Sequence, residues 1–294
     1  MRLWVLLGAL NATSISAAWT AALQKALADG KIPSYDDVPV ATTAGTYRSK
    51  SGSTLNGGKA PICSSTVGCK DATQIYDVPD SVVAISFDND PLPSSKTLLK
   101  FLREHNQKVT HFFIVSNIFA SPTIFTEAFE TNDNDIAVHT WSHPQMTTLT
   151  NEMVLAELGW MCQIIHGSTG GRLPMYWRPS YGDSDARNDD TNDWKIPDRT
   201  QTMAAAEAIL AKRYNGPKSP GLTILEHELD ASTVQVFTNA YPLIAQNGWQ
   251  GKAVPDAMGT NWYLNAKNNT GPVVEMTVGS GSSVTWRARV PILG

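Results

Sequence analysis

Apolar and polar positions divide the chain near residue 79. Before it, only 21–28 carries a helical pattern, and SKSGSTLNGGKAP is dominated by turn formers. After it, short apolar runs alternate with helical patterns. Residues 82–87, 109–115, 136–138, 175–177 and 222–225 read as strands. Residues 95–105, 122–130, 150–165, 202–214 and 232–246 read as helices, the last broken at Pro242. Thr150 is placed to cap its helix, with Leu149 and Val154 at staple positions. Val154, Leu158, Cys162 and Ile165 then form one apolar stripe. Strand–helix alternation of this kind predicts an α/β fold of parallel strands under helical cover.

The polar residues that interrupt this pattern fall where strands end. Asp88 follows Phe87, His139 follows Val138, Arg178 follows Trp177, and His227 lies just beyond Leu225. Carboxyl ends of parallel strands are where such folds place their chemistry. HTWSH sets His139 and His143 four apart, so one turn or a tight loop brings both imidazoles to one side. Two His and a carboxylate-type ligand make a divalent-metal site with open positions. YWRPSYGD supplies Arg178 and a rigid turn in which the N–H of Tyr181 can face a developing oxyanion. Arg178 also suits a structural pair with a carboxylate. DDTNDWK offers Asp193 and Trp194, and LEH offers His227 as a general acid. Trp194 and Leu225 can line an apolar slot, although a core role serves Leu225 equally well. His105 and His166 complement helix C-termini, and His111 inside a strand reads as a hydrogen-bonded core residue.

Composition narrows the class. With 23 Lys plus Arg against 27 Asp plus Glu, the net charge is -4, which gives no basic stripe for nucleic acid. The first 18 residues read as a secretory signal: Arg2, a short apolar run, then small residues. That run is too short to span a bilayer, and no other stretch suggests a transmembrane helix. Asn268 in NNT is a glycosylation acceptor. In an oxidising compartment Cys63 and Cys69 can close a small loop, whereas Cys162 sits on a helix's apolar side. Expected boundaries are 1–18 signal, 19–79 extension, 80–246 main domain and 247–294 extension. A secreted, cell-wall or extracellular monomer is expected.

Residues 80–245 resemble the NodB-homology polysaccharide deacetylases, carbohydrate esterase family 4, in the manner of its fungal chitin deacetylases. The family's Thr-Phe-Asp-Asp-Gly stands here as SFDND (86–90), and its His-Ser/Thr-x-x-His as HTWSH (139–143). Arg-Pro-Pro-Tyr-Gly appears as RPSYG (178–182), Asp-x-x-Asp-Trp as DTNDW (190–194), and Leu-x-His as LEH (225–227). The resemblance implies a distorted (β/α) barrel that hydrolyses N-acetyl groups on GlcNAc polymers, chitin or chitooligosaccharides. It assigns Asp88 as general base and Asn89, His139 and His143 as ligands of a divalent metal, zinc or else cobalt. Tyr181 N–H would hold the oxyanion, and His227, charged by Asp193, would protonate the amine. Arg178 would hold the base side of the groove, with Trp194 and Leu225 framing the acetyl methyl.

Departures at three places, the first motif, the third motif and the link after it, qualify this picture. Asn89 replaces the metal-binding Asp, so metal affinity is expected to fall. Asp90 replaces Gly, and one residue of displacement along a strand points its side chain elsewhere. Ser180 replaces a Pro. Only seven residues separate Gly182 from Asp190, too few for a βα crossover. Either the barrel lacks one helix–strand unit there or a segment is missing. The alternative to an active deacetylase is a weak or inactive relative that binds cell-wall glycan.

Overall fold

The computed structural model describes residues 15–43, 45–59, 62, 64, 69, 75–182 and 189–279. Helix α1 (Ala17–Ala28) comes first, capped by Ser16. Strands β1 (Val40–Thr43), β2 (Thr46–Arg48) and β3 (Thr54–Asn56) then form a small antiparallel sheet. The main domain begins with β4 (Val82–Asp90), followed by α2 (Ser95–Glu104) and β5 (Thr110–Phe113). Helices α3 (Val115–Ala120) and α4 (Pro122–Thr126) lead to β6 (Asp135–Val138) and the long α5 (Asn151–Ser168). The short β7 (Asp189–Asp190) precedes α6 (Met203–Tyr214) and β8 (Leu222–His227). Helices α7 (Ala231–Ala240) and α8 (Pro242–Gln246), strand β9 (Gln250–Lys252) and α9 (Val254–Met258) complete it.

The central strands are parallel, in the order β6-β5-β4-β8-β7, with β9 also paired to β4. The alternation of side chains along β4 sorts residues between two layers. Val83, Ile85 and Phe87 pack outward under α2, α6 and α7. Phe87 is fully buried, edge-on to Phe237 at 5.0 Å. Burial of such a side chain contributes roughly 1.5–3 kcal/mol. Val82 and Ala84 face inward with Phe112, Ala137 and Tyr176. Small inward residues leave room for the sheet to curl. Phe113, Ile136 and Val138 meet α3, α4 and α5 in a separate outer cluster.

Trp177 extends the sheet past β6 through a parallel bridge to Val138. The expected strand at 175–177 is therefore reduced to a bridge. From that edge, Arg178 reaches across to Ser86 and Asp88 on the central strand, so the sheet is curved. The other edge is β7, joined to β8 at Asp189–Ile224 and Asp190–Leu225. Among the described residues no strand pairs the two edges. This is the α/β architecture of the expected fold, with an open seam between the two edges among the described residues. Residues 183–188, in the short link after Gly182, lie outside the described residues.

The N-terminal extension packs on α5. Trp19 lies 5.1 Å from Trp160, and its indole N–H donates to Val278 O at 2.9 Å. Gly159 makes this possible, since a Cβ there would come within 2.5 Å of the Trp19 ring. Asn151 holds Tyr35 N–H and Pro33 O. Cys69 is disulfide-bonded, while the expected partner Cys63 lies outside the described residues. Cys162 is free and buried, its thiol pushed up to about 12 by burial. Residues 1–14 of the expected signal are outside the described residues. No helix among those described is long and apolar enough to cross a membrane.

Candidate active site

Register places the first pair. Asp88, two residues from the end of β4, lies directly beside His227 on β8. Asp88 is buried, and its Oδ1 accepts from Arg178 Nη1. Arg178 Nη2 donates to Ser86 Oγ at 2.9 Å, and Ser86 in turn donates to Ile224 O. The guanidinium lies 4.1 Å over the Phe112 ring. Burial opposes charge on Asp88, but Arg178, His139 and His227 outweigh it and hold the carboxyl below its usual range. The result is an ionised carboxylate at the inner rim.

The two imidazoles are brought together by a strained loop. His139 Nδ1 lies 2.8 Å from Arg178 O, which fixes the ring and leaves Nε2 3.8 Å from Asp88 Oδ2. Thr140 and His143 both adopt positive φ, 71° and 60°, a cost that needs support from elsewhere. Glu157 of α5 supplies it, accepting from Trp141 N–H (2.7 Å), Ser142 N–H (2.9 Å) and Ser142 Oγ (2.7 Å). Thr140 Oγ1 also accepts from His143 N–H. The His139 and His143 rings end 5.0 Å apart. Burial first, then the neighbouring His139, lowers His143 to about 4. Burial likewise lowers His139. Both are therefore neutral near pH 7, the state a metal ligand needs.

Asn89 follows in a left-handed conformation, φ 73°, with its carbonyl accepting from Asn117 Nδ2 at 2.7 Å. Its side-chain Oδ1 is buried without a hydrogen-bond partner. A buried amide oxygen with no donor among the described residues fits a cation better than it fits an empty interior. Asp90 turns away from this loop, its Oδ2 3.1 Å from His111 Nδ1. His111 is fully buried and hydrogen-bonded, as a core residue should be.

Across the rim, Asp193 is fully buried and grips His227 twice. Its Oδ2 accepts from the backbone N–H (2.8 Å), and its Oδ1 lies 2.7 Å from Nδ1. Tyr181 has φ 61° and ψ 14°, and its side chain is 67% exposed with the ring 4.5 Å from His143. Trp194 is 43% exposed and Leu225 half-buried. Sequence reasoning missed Glu157 and Asn117. Each holds backbone of a loop at the rim from a distant helix, so no local motif marks it. Glu157 carried one signal: a carboxylate within an otherwise apolar stretch of helix.

A second donor group lies deeper. Asp90, His111 and Glu228 are fully buried, and one ligand atom from each lies within 4.8 Å of the others. This group can hold a divalent metal, which gives the chain two donor sets of different accessibility.

The polysaccharide deacetylase family model matches residues 76–195. Chitin deacetylase 3 of Cryptococcus neoformans var. neoformans is 42% identical over 290 residues, covering 91% of this chain and 68% of the relative. Chitin deacetylase 1 of Cryptococcus neoformans var. grubii is 32% identical, covering 77% and 54%. The chitin deacetylase structure from Colletotrichum lindemuthianum matches with a TM-score of 0.57 at 18% identity, covering 65% of this chain and 94% of that one. The chain belongs to the polysaccharide deacetylase family.

Proposed function

We propose that this chain is a secreted, metal-dependent deacetylase of chitin or chitooligosaccharides, releasing acetate from N-acetylglucosamine residues. The observation that carries the reading is Asp88 held ionised by Arg178, opposite a His227 that is oriented by Asp193. Family membership and the relatives named chitin deacetylase support the substrate class.

In this reading His139, His143 and Asn89 hold the metal, zinc or cobalt, which when bound polarises the acetyl carbonyl and lowers the pKa of water. Asp88 takes a proton from the attacking water. The water oxygen bonds to the acetyl carbon, and the carbonyl oxygen gathers charge against Tyr181 N–H. His227, fixed through Nδ1, gives the proton on Nε2 to the departing nitrogen as the C–N bond breaks. Arg178 keeps Asp88 in place. Trp194 and Leu225 flank the methyl, and the exposed Tyr181 ring offers a face to sugar.

The buried Asp90–His111–Glu228 group is not assigned to this chemistry. A catalytic ion needs a position open to water and substrate, and those three residues have no exposure. Asn89 favours a second reading, a family member weakened at the metal. Acetate release from N-acetylated chitooligosaccharides, with zinc, cobalt or chelator, tests the activity. The expected result is metal-stimulated acetate abolished by chelator, and no acetate under any condition contradicts it. In the same assay Asn89→Asp is expected to tighten zinc binding by about tenfold, ~1.4 kcal/mol. Equal affinity would show that the amide costs nothing.

A further inference from the structure

We infer that Asp90, His111 and Glu228 form an internal structural site for a divalent cation of zinc type, separate from the rim. His111 Nδ1 lies 3.1 Å from Asp90 Oδ2 and 2.8 Å from Glu228 Oε1. These three atoms converge from β4, β5 and the residue just after β8, so the ladder itself sets their spacing. A tetrahedral ion with ligands at ~2.0–2.1 Å separates its donors by about 3.3 Å, so the two distances from His111 Nδ1 need to open by only a few tenths of an ångström.

Three further observations point to a cation. Asp90 Oδ1 is buried with no N–H or hydroxyl donor among the described residues, which leaves a further oxygen for ligation. Among the described residues, no Lys or Arg ion pair reaches Asp90 or Glu228, so beside His111 the two buried acids have only Ser95 and each other. A dication there takes the place of the proton that the two acids otherwise share. Finally, Asn134 lies against the far side of the imidazole, with Nδ2 3.0 Å from His111 Nε2 and its own Oδ1 unpartnered. Turning that amide over lets Oδ1 accept from Nε2–H. The lone pair of Nδ1 then faces the two carboxylates, the tautomer a ligating imidazole requires. Such a site has no open position, so the ion enters as the chain folds and exchanges slowly.

This inference does not rest on the deacetylase reading, and its test separates the two. A His139→Ala/His143→Ala variant, refolded with zinc, dialysed and checked for a cooperative thermal transition, lacks the rim ligands. Elemental analysis is expected to find close to one zinc per chain, and Glu228→Gln or Asp90→Asn in that background to lower it at least tenfold. A folded double variant without zinc overturns the inference, whatever the wild-type activity. Should these variants fail to fold, the wild-type chain labelled with ¹⁵N-histidine serves. Refolding with zinc should convert the His111 Nδ1 resonance from N–H to metal-ligated. A His111 that keeps its Nδ1–H at saturating zinc, the result if a proton rather than a cation bridges the carboxylates, overturns it equally.

Discussion

Asp88 lies near the end of β4 and Asp135 begins β6, and both carboxyls are buried. Asp88 lies against Arg178 and two histidines and stays ionised. Asp135, at the opposite end of the strands, accepts from Thr110 Oγ1 at 2.9 Å but has no basic partner among the described residues. Burial pushes it up to about 8, with Thr110 opposing and Asp256 adding to the rise. Asp90 repeats the lesson two residues beyond Asp88: burial and then the neighbouring Glu228 hold its carboxyl well above the usual range. Equal burial thus gives opposite protonation states, and the partner decides which. The rim sets the Arg178 guanidinium against its acid, whereas the base of the sheet leaves its acid to take up a proton.

Breaking the rim should have the largest effect. His227→Ala removes the proton donor opposite Asp88, and acetate release is expected to fall about 10²–10⁴-fold with substrate binding largely kept. A loss below tenfold would remove His227 from the chemistry. Glu157→Gln leaves the reacting groups in place but weakens three hydrogen bonds to the loop between the imidazoles. Outer partners of this kind are worth about 10–100-fold in metal affinity, so zinc binding measured by competition should weaken by that factor. Unchanged affinity would mean the loop holds its strained residues without Glu157.

Breaking the other side of the comparison should touch stability alone. Between the unfolded carboxyl pKa and about 8, Asp135 binds a proton in the folded chain that the unfolded chain has released. Its contribution is therefore full at acidic pH and is lost as pH rises through that window, on the order of 1 kcal/mol per pH unit. Asp135→Asn should remove this slope from urea unfolding between pH 5 and 8 while leaving acetate release unchanged. The same slope in both proteins would mean Asp135 is not protonated in the fold.

Much of the rim was legible because strand ends expose it. Asp88, His139, Arg178 and His227 each sit one or two residues past an apolar run, and the ladder then brings them together. Thr150 caps α5 as its side chain predicts, accepting from Met153 N–H. The face of α5 was less legible. Cys162 and Ile165 are buried as expected, but Val154 and Leu158 are only half-buried, and Ala156, Glu157, Gly159 and Met161 are buried instead. Helix α1 covers part of α5, so two neighbours claim its surface and a single stripe misreads it. Glu157 was hidden for a related reason. Its partners lie 15 and 16 residues away, a contact made by tertiary packing rather than by spacing. The role of Asp90 was likewise invisible, since His111 and Glu228 reach it only through the parallel pairing of β4 with β5 and β8.

The central claim is that an ionised Asp88 at the rim is the base of a hydrolytic site. Its most direct measurement is acetate release from N-acetylated chitooligosaccharide by zinc-loaded wild type and zinc-loaded Asp88→Asn, compared at matched zinc content and thermal stability. The account predicts release by the wild type and a loss of about 10²–10⁴-fold in the variant. Equal rates in the two proteins would contradict it.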